Sequence, residues 1–374
     1  MSHQEKQRAL RLFEELTKRH PSQSSNVLYK SLCEFVTTVV QDDICITKKS
    51  HGNRFRDLLC DFSLAYVPIP IQEQMMVHAQ LVNGMKQVGE GSNGRIFQSG
   101  SFQGNPIVTK TKKKITDHSI YEIYVNFVIL NSMLLDQQFE NHIIPTYGLF
   151  LCPTNSDGTE ICKPMHKQEH LFLVQHQING KTLAETLQSG MTLDRFKTIV
   201  HELLHVLQSF EKSPYQLYHT DLHCSNIIMT AGSDGKEHPT LLDFELCSFS
   251  INKHRFRLNS LEHNYCKKDH ILSGAHDFIL LFSNALAYKN NEIQDYTLSI
   301  LENVCSAFWV APNQPLLVSK SFFSERKEHR WIFSILFEKE EVLAMEEDKH
   351  IVHQHNLAIL NKMTYEWLSN QYSL

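Results

Sequence analysis

The stretch His219–Asn226 (HTDLHCSN) places two polar side chains that could do chemistry in a short loop between apolar runs. A carboxylate such as Asp221 can accept a proton from a hydroxyl group, and the side-chain amide of Asn226 can ligate Mg²⁺. A second carboxylate, Asp243, ends a β-prone run and could bridge such a metal to nucleotide phosphates, because hard oxygen ligands suit Mg²⁺. These three residues predict magnesium-dependent chemistry at a hydroxyl group.

A glycine-rich stretch lies earlier, in VGEGSNGRIF, where Gly89, Gly91 and Gly94 follow the spacing G-x-G-x-x-G and Ile96 comes two residues later. Glycines let a backbone turn approach phosphates without an intervening Cβ atom. The same spacing occurs in dinucleotide-binding proteins, but there a helix and an acidic ribose ligand follow. Here another β-prone run follows, which favours a hairpin that covers phosphates.

Lys110 ends a further β-prone run, sixteen residues after Gly94. A lysine on the strand after a glycine-rich hairpin can pair with nucleotide phosphates if an acidic residue holds it in place. Glu122, twelve residues further on in a predicted helical segment of about residues 118–136, fits that task. The alternative is that Lys110 is a solvated member of the run KTKKK.

The loop also allows a different interpretation, a zinc site. His219 and His223 are four residues apart, and Cys224 adjoins them. Zinc sites use three or four protein ligands, and no matching pair lies nearby in the sequence. We therefore expect His219 to brace the loop rather than to bind a metal.

Together these motifs resemble those of the protein-kinase superfamily, over roughly residues 83–370. HTDLHCSN matches the catalytic-loop pattern H-x-D-x-x-x-x-N, and Asp243–Glu245 (DFE) stands where D-F-G would be. Asp277, 34 residues after Asp243, resembles the buried aspartate of the long central helix of the large lobe. The residues that occur in the family's order are Gly89, Gly91, Gly94, Lys110, Glu122, Asp221, Asn226 and Asp243.

The resemblance implies that ATP and Mg²⁺ are the cofactors. Backbone amides of Gly89–Gly94, with Ile96 beside them, would cover the phosphates, and Lys110, held by Glu122, would bind the α- and β-phosphates. By alignment with the family's hinge, Gln175 would be the gatekeeper. The following His176–Ile178, with Gln177 at its centre, would offer backbone groups to adenine.

The resemblance also assigns the catalytic roles. Asp243 and Asn226 would hold Mg²⁺, and Asp221 would orient the acceptor hydroxyl and take its proton. His223 stands where protein kinases usually carry a lysine near the transferred phosphate. The mechanism would consist of positioning and charge neutralisation.

Several positions depart from the family pattern. Thr220 replaces the arginine that usually precedes the catalytic aspartate, so no phosphorylation of the activation segment is expected to be required. Glu245 replaces the third residue of D-F-G, which should restrict flipping of that loop, and no A-P-E follows. The string D-L-H-x-x-N is more similar to aminoglycoside and choline phosphotransferases and to divergent kinases of large DNA viruses.

The predicted fold class is α+β, a bilobal protein-kinase-like fold. We expect an N-terminal helical extension over residues 1–82, a small β-rich lobe over 83–178 and a larger helical lobe over 179–374, with helical patterns from residue 273 to the end. One predicted helix buries a face formed by Phe196, Ile199, Val200, Leu203, Leu204, Leu207 and Phe210.

The amino-acid composition further limits the partners and the location that are expected for the protein. The 374 residues include 36 basic and 41 acidic side chains, a formal net charge of −5, which argues against a nucleic-acid partner because phosphate contacts need a basic surplus. Nine scattered cysteines without a C-x-x-C pair are typical of a reduced intracellular protein. The polar N-terminus is not a secretory signal, and no apolar run of about 18 residues predicts membrane insertion. We expect an intracellular, cytoplasmic protein, located in the host cell or virion if it is viral.

The leading hypothesis is an ATP-dependent protein kinase that transfers the γ-phosphate to a serine or threonine of a protein substrate. One alternative is a small-molecule kinase of the aminoglycoside or choline kind, which His223, Glu245 and the missing A-P-E favour. Another is a pseudokinase that acts as a binding scaffold, although every catalytic position is filled. In each case the N-terminal helices could contact a partner.

Overall fold

The structure of the protein is a computed structural model. It describes residues 44–46, 86–90, 94–102, 105–112, 121–122, 125–130, 133–134, 137–151, 171–232, 235–251, 254–258, 274–319 and 346–372. Apart from the strand Ile44–Ile46, the predicted N-terminal extension lies outside these residues, as does Gly91.

The chain is a mixed α+β protein, as the sequence predicts. The described strands, β1 to β13 in chain order, are Ile44–Ile46, Lys86–Glu90, Gly94–Phe102, Asn105–Lys112, Thr146–Leu151, Leu171–His176, Gly180–Thr182, Ile227–Ala231, Glu237–Leu241, Phe249–Ile251, His254–Leu258, Trp309–Ala311 and Gln314–Pro315. The described α-helices, α1 to α6, are Leu183–Gln188, Leu193–Lys212, Gly274–Ala285, Asn291–Ser306, Glu346–Lys362 and Tyr365–Tyr372.

Five strands form one antiparallel sheet in the order β2-β3-β4-β6-β5. Strand β4 pairs with β3 on one edge and with β6 on the other. Its side chains alternate in burial: Ile107, Thr109 and Thr111 are buried, while Val108 and Lys110 between them are only partly covered. This alternation is the period of two that a strand imposes. The sheet therefore fixes the face on which Lys110 lies.

The predicted helical segment of residues 118–136 is helical where it is described, but its hydrogen bonding is not uniform. Tyr121 and Glu122 are α-helical and buried, whereas Val125–Leu130 form a π-helical turn. Four of these six residues are β-branched or aromatic and so have low α-helix propensity. A hydrophobic pattern reports a helical face and cannot reveal such a local change in hydrogen bonding.

Helix α2 begins at the N-cap Thr192, whose side chain accepts a hydrogen bond from the amide of Arg195. Its predicted apolar face is confirmed, since all seven residues of that face are buried. Helix α3 differs because its residues Phe278–Phe282 are all buried in succession. It contacts α2, α4 and α6, so other helices cover it on several sides.

The region after residue 273 is mostly helical, but the expectation of continuous helical structure to the end is wrong at one place. Strands β12 and β13 form a small antiparallel hairpin between α4 and α5. The side chain of Asn356 on α5 accepts a hydrogen bond from the amide of Trp309 and donates one to its carbonyl. Strand β12 is held by a helix and has only three residues, so its sequence is too short to show an alternating strand pattern.

The chain divides into two compact units. One includes Ile46–Asn179 and Ala231–Lys236, and the other includes Gly180–Thr230 and Glu237–Leu374. Within the described parts of the chain, none of the helices combines the length and the apolar character needed to cross a bilayer.

Candidate functional site

Lys110 and Glu122 form an ion pair in the first unit. Lys110 lies on β4 opposite Ile96 of β3, and its Nζ atom is 2.5 Å from Oε1 of Glu122. The Glu122 side chain is 2% exposed and that of Lys110 is 17% exposed. A carboxylate in such a position is costly unless a cation compensates it, so each residue depends on the other. The pairing that the sequence analysis expects is present.

The described glycines of the glycine-rich stretch lie on the two strands of a β-hairpin. Strands β2 and β3 pair antiparallel, with Gly89 opposite Ile96, and Gly94 starts β3 in a buried position. A Cβ atom at Gly89 would meet the Ile96 side chain at 3.6 Å, an ordinary contact. Glycine is therefore not required at this position by the fold itself.

The segment predicted to contact adenine is partly committed to other contacts. The amide of His176 donates to the carbonyl of Pro145 at 3.0 Å, and the amide of Gln177 donates to the carbonyl of Pro106 at 2.9 Å. The half-buried side chain of Gln175 donates to Asn126 and Thr146, each at 3.3 Å. The Gln175 amide is therefore held inside this unit by two partners.

The loop that contains Asp221 is built as a tight turn in the second unit. The amide of Asn226 donates to the carbonyl of His223 at 2.8 Å, and its side-chain Nδ2 donates to the carbonyl of Asp221 at 3.0 Å. This bond holds the orientation of the amide, whose oxygen Oδ1 is the atom of Asn226 that can ligate a metal. Nε2 of His223 lies 3.8 Å from Oδ2 of Asp221, and both side chains are about 30% exposed.

This loop is joined to the segment that contains Asp243. The amide of Leu242 donates to the carbonyl of Asn226 at 2.8 Å, and Nε2 of His219 lies 2.7 Å from the carbonyl of Leu242. Nδ1 of His219 in turn accepts from the amide of Asp221 at 3.3 Å, which fits the tautomer that carries its proton on Nε2. His219 braces the loop, as the sequence analysis expects.

A second set of contacts fixes the other end of the two segments. Tyr218 and Ser248 exchange two backbone hydrogen bonds of 2.8 Å, and the Thr220 hydroxyl donates to the carbonyl of Leu246. The hydroxyl of Thr220 thereby joins the Asp221 loop to the turn that follows Asp243. Asp221 and Asp243 thus lie on two segments that are bonded to each other at several points.

Two residues of these segments have left-handed backbone conformations that non-glycine residues rarely adopt. Thr220 has a φ of 60° and Asp243 a φ of 55°. Each such residue costs on the order of 1 kcal/mol or more, and such strain is found preferentially at functional sites. The strain falls at Asp243 itself and at the residue before Asp221.

Asp243 has a carboxylate neighbour in Glu245. Asp243 is exposed and Glu245 is buried, and a carboxylate oxygen of each lies within 4.8 Å of the other. Carboxylate oxygens are hard donors of the kind that divalent cations such as Mg²⁺ prefer. From the sequence, Glu245 is expected to restrict flipping of this loop, and it favours the small-molecule kinase alternative. Its place beside Asp243 in D-F-E is the signal that could have indicated a second carboxylate at this position.

The buried side chain of Asp277 supports the backbone of the Asp221 loop through a hydrogen bond. Its Oδ2 atom accepts from the amide of His219 at 2.9 Å and from the hydroxyl of Tyr365 at 2.7 Å. Burial alone would raise the pKa of Asp277, but His276, His219 and the Tyr365 hydroxyl together hold it below its ordinary value. Asp277 therefore acts as an anion that positions the loop backbone.

Tyr365, the first residue of α6, contacts Asp277, and the sequence does not predict this contact. Gly274 leaves room for it, since a Cβ atom there would lie 2.8 Å from the Tyr365 ring. The amide of Tyr365 donates to Glu211, which also accepts from the hydroxyl of Tyr218 at 3.0 Å. Nothing in the sequence around Tyr365 signals this role, because it depends on α6 packing against α2 and α3.

Helix α2 contains a further motif that the sequence analysis did not single out, H-E-x-x-H over His201–His205. This spacing occurs in zinc-dependent hydrolases. The two imidazole rings are exposed and 4.6 Å apart between centroids, but Glu202 contacts His238. Among the described residues, no third histidine, cysteine or carboxylate groups with both histidines to complete a zinc site.

The first unit thus contains a strand lysine with its buried glutamate, and the second unit contains two joined segments that carry Asp221, Asn226 and Asp243. A carboxylate of the second group can accept a proton while the others hold a cation. No protein-family model matches this chain, and a search of curated proteins finds no match either.

Proposed function

We propose that this protein is an ATP- and Mg²⁺-dependent phosphotransferase of protein-kinase-like, bilobal fold, with its lobes at residues 83–178 and 179–374. It transfers the γ-phosphate of ATP to a serine or threonine hydroxyl of a protein substrate. The observation that carries the proposal is the joined arrangement of the Asp221 loop and the Asp243 segment, with strained backbone at Thr220 and Asp243.

The loop residues fit a magnesium ion bound to a nucleotide. Asp243 supplies an exposed carboxylate, Asn226 supplies Oδ1 of an amide whose Nδ2 is held by the carbonyl of Asp221, and Glu245 adds a second carboxylate. All these donors are hard oxygen atoms, the kind that Mg²⁺ prefers. When bound, the ion would neutralise phosphate charge as the transfer proceeds.

Asp221 is the proposed general base. Its carboxylate accepts the proton of the acceptor hydroxyl while that oxygen forms a bond to the γ-phosphorus atom and the bond to the β-phosphate oxygen breaks, which releases ADP. The amide of Asp221 and the carbonyl of Leu242 both bond to His219, so the backbone that carries the Asp221 side chain is held in place. His223, 3.8 Å from Asp221, adds a nearby imidazole that could face the transferred phosphate.

Lys110 is the proposed ligand of the α- and β-phosphates. Glu122 holds its ammonium group in one position, which reduces the side-chain entropy lost on binding. Ile96, opposite Lys110 on the neighbouring strand, and the glycines Gly89 and Gly94 belong to the hairpin proposed to cover the phosphates. For adenine, the amides of His176 and Gln177 are committed to protein carbonyls, so the proposed donor is the amide of Ile178.

The proposal is tested by incubating the purified protein with γ-labelled ATP and Mg²⁺. The acceptors are generic proteins in one series and aminoglycosides or choline in another, with the Asp221→Asn variant as the control. Label on protein that is lost in Asp221→Asn supports the proposal. Label on the small alcohols moves the acceptor to the alternative class, and no transfer to any acceptor, with ATP still bound, favours a binding scaffold.

A further inference from the structure

An open cavity of about 490 Å³ lies in the second unit, outside the residues assigned so far. It is lined by Leu187 and Gln188 at the end of α1 and by Ala287, Tyr288 and Lys289 in the turn after α3. A cavity of this size can hold a side chain or a small molecule.

The walls of this cavity are fixed to each other by Asn290. Its Nδ2 atom donates to the carbonyl of Met191, just after α1, at 2.7 Å, while its Oδ1 atom caps α4 by accepting from the amide of Ile293. Gln294 adds a hydrogen bond of 2.9 Å to the carbonyl of Leu286. The cavity is therefore preformed and does not depend on a ligand for its shape.

The cavity adjoins the loop that contains Asp221 and Asn226. Tyr288 neighbours Cys224 and Ser225 of the turn that ends at Asn226. The amide of Cys224 donates to the side chain of Asn284 at the end of α3, at 3.0 Å. A group bound in the cavity would thus lie beside the loop at which the acceptor hydroxyl reacts.

The lining residues favour an anion. Lys289 is exposed, and none of the described carboxylates forms an ion pair with it. Gln188 adds an exposed amide that can donate hydrogen bonds, and the hydroxyl of Tyr288, which lies beside Ser225, is uncharged at neutral pH. None of the described residues that line the cavity is acidic. Cationic and neutral donors around a small cavity are suited to a carboxylate or a phosphoryl group.

We propose that this cavity binds an anionic group of the acceptor substrate, a carboxylate or a phosphoryl group carried near the reacting hydroxyl. The inference rests on the proposed function, because it places the acceptor at the Asp221 loop. It narrows the substrate class to acidic or previously phosphorylated segments.

The test uses peptides of one length with a central serine and alanine flanks. In each peptide one flanking position carries glutamate, phosphoserine, alanine or lysine in turn. The wild-type protein, Lys289→Glu and the matched control Lys362→Glu are compared, since Lys362 is also exposed but lies at the end of α5. Both kcat/KM with MgATP and binding of the same peptides without nucleotide are measured, the latter by fluorescence anisotropy.

We expect the wild type and Lys362→Glu to prefer glutamate or phosphoserine over alanine at one flanking position by about 5- to 10-fold. In Lys289→Glu the preference should shift to lysine at that position. Glutamate and phosphoserine distinguish the two anion sources. Phosphorylation without an acidic preference, or with the same preference in Lys289→Glu, overturns the inference but leaves the proposed function intact. Acidic binding that Lys289→Glu removes, without any phosphorylation, supports the cavity assignment and contradicts the proposed function.

Discussion

The two regions that contain the candidate residues are held in different ways. Lys110 and Glu122 depend on one ion pair of 2.5 Å, in which an almost fully buried carboxylate has a partly exposed cation as its partner. The Asp221 loop and the Asp243 segment depend on backbone hydrogen bonds, on the ring of His219 and on the buried anion Asp277. The first region is held mainly by an ion pair, and the second is held mainly by hydrogen bonds.

This difference predicts how each region responds to substitution. In the first region, a neutral substitution of one partner leaves a buried charge, but a neutral substitution of both restores balance. In the second region, replacing the charged acceptor Asp277 by a neutral one weakens the hydrogen bonds that it accepts, and a second neutral substitution does not restore them. The predictions below test that contrast.

The largest effect on stability is expected for Lys110→Met, which leaves the Glu122 carboxylate buried without its cation. We expect a loss of about 2–4 kcal/mol in the free energy of unfolding, because breaking a buried pair is more costly than replacing it. The double variant Lys110→Met/Glu122→Leu should recover most of this loss, as measured by urea unfolding. A double variant that is less stable than Lys110→Met would show that the pair is not held mainly by charge.

A smaller loss, about 2 kcal/mol, is expected for Asp277→Asn, which removes a charged acceptor from the amide of His219 and the hydroxyl of Tyr365. Adding Tyr365→Phe to Asp277→Asn should not restore stability, in contrast to the double variant at Lys110 and Glu122. Urea unfolding of the single and double variants measures both. Recovery of wild-type stability in the double variant would remove the contrast between the two regions.

Tyr365→Phe alone keeps the ring that packs against Tyr218 but removes the hydroxyl that donates to Asp277. We expect a loss of about 1–2 kcal/mol. Because Asp277 also accepts a hydrogen bond from the amide of His219, the rate of the proposed phosphoryl transfer should fall as well, while the affinity for MgATP changes little. A variant with wild-type stability and wild-type turnover would show that α6 does not position the loop.

The smallest effect concerns pH. Burial raises the pKa of Glu211 above its ordinary value, so the folded state holds this proton more tightly than the unfolded state does. The contribution of Glu211 to stability is then complete below its ordinary pKa and is lost as pH rises through its folded value. Glu211→Gln should therefore gain stability relative to wild type as pH rises from about 4.5 to neutral. Parallel urea-unfolding midpoints for the two proteins over that range would contradict this.

Much of the fold could be predicted from patterns that operate within one element. The β-prone runs that follow Gly94 and that end at Lys110 lie in strands, and the apolar face of α2 is buried. These patterns are visible because burial repeats every two residues in a strand and about every 3.6 in a helix. The ion pair between Lys110 on β4 and Glu122 in the following helical segment was also predictable, because the order of these two residues after the glycine-rich stretch resembles the protein-kinase pattern.

The parts that could not be predicted depend on contacts between elements distant in sequence. Tyr365 reaches Asp277 across 88 positions, and Gly274 is small because the Tyr365 ring packs on it. The hairpin at Trp309 is held by Asn356, 47 positions away. Neither contact leaves a local pattern, because a single polar residue at one helix position has no periodicity.

The central claim is that Lys110 and Asp243 serve the same MgATP. It is tested by calorimetric titration of ATP, with and without Mg²⁺, into the wild type, Lys110→Met and Asp243→Asn. Lys289→Ala is the matched control outside the proposed nucleotide ligands. The account predicts magnesium-dependent binding in the wild type and the control, weaker binding in Lys110→Met, and loss of the magnesium dependence in Asp243→Asn. ATP affinity that is unchanged by both substitutions and indifferent to Mg²⁺ would contradict it.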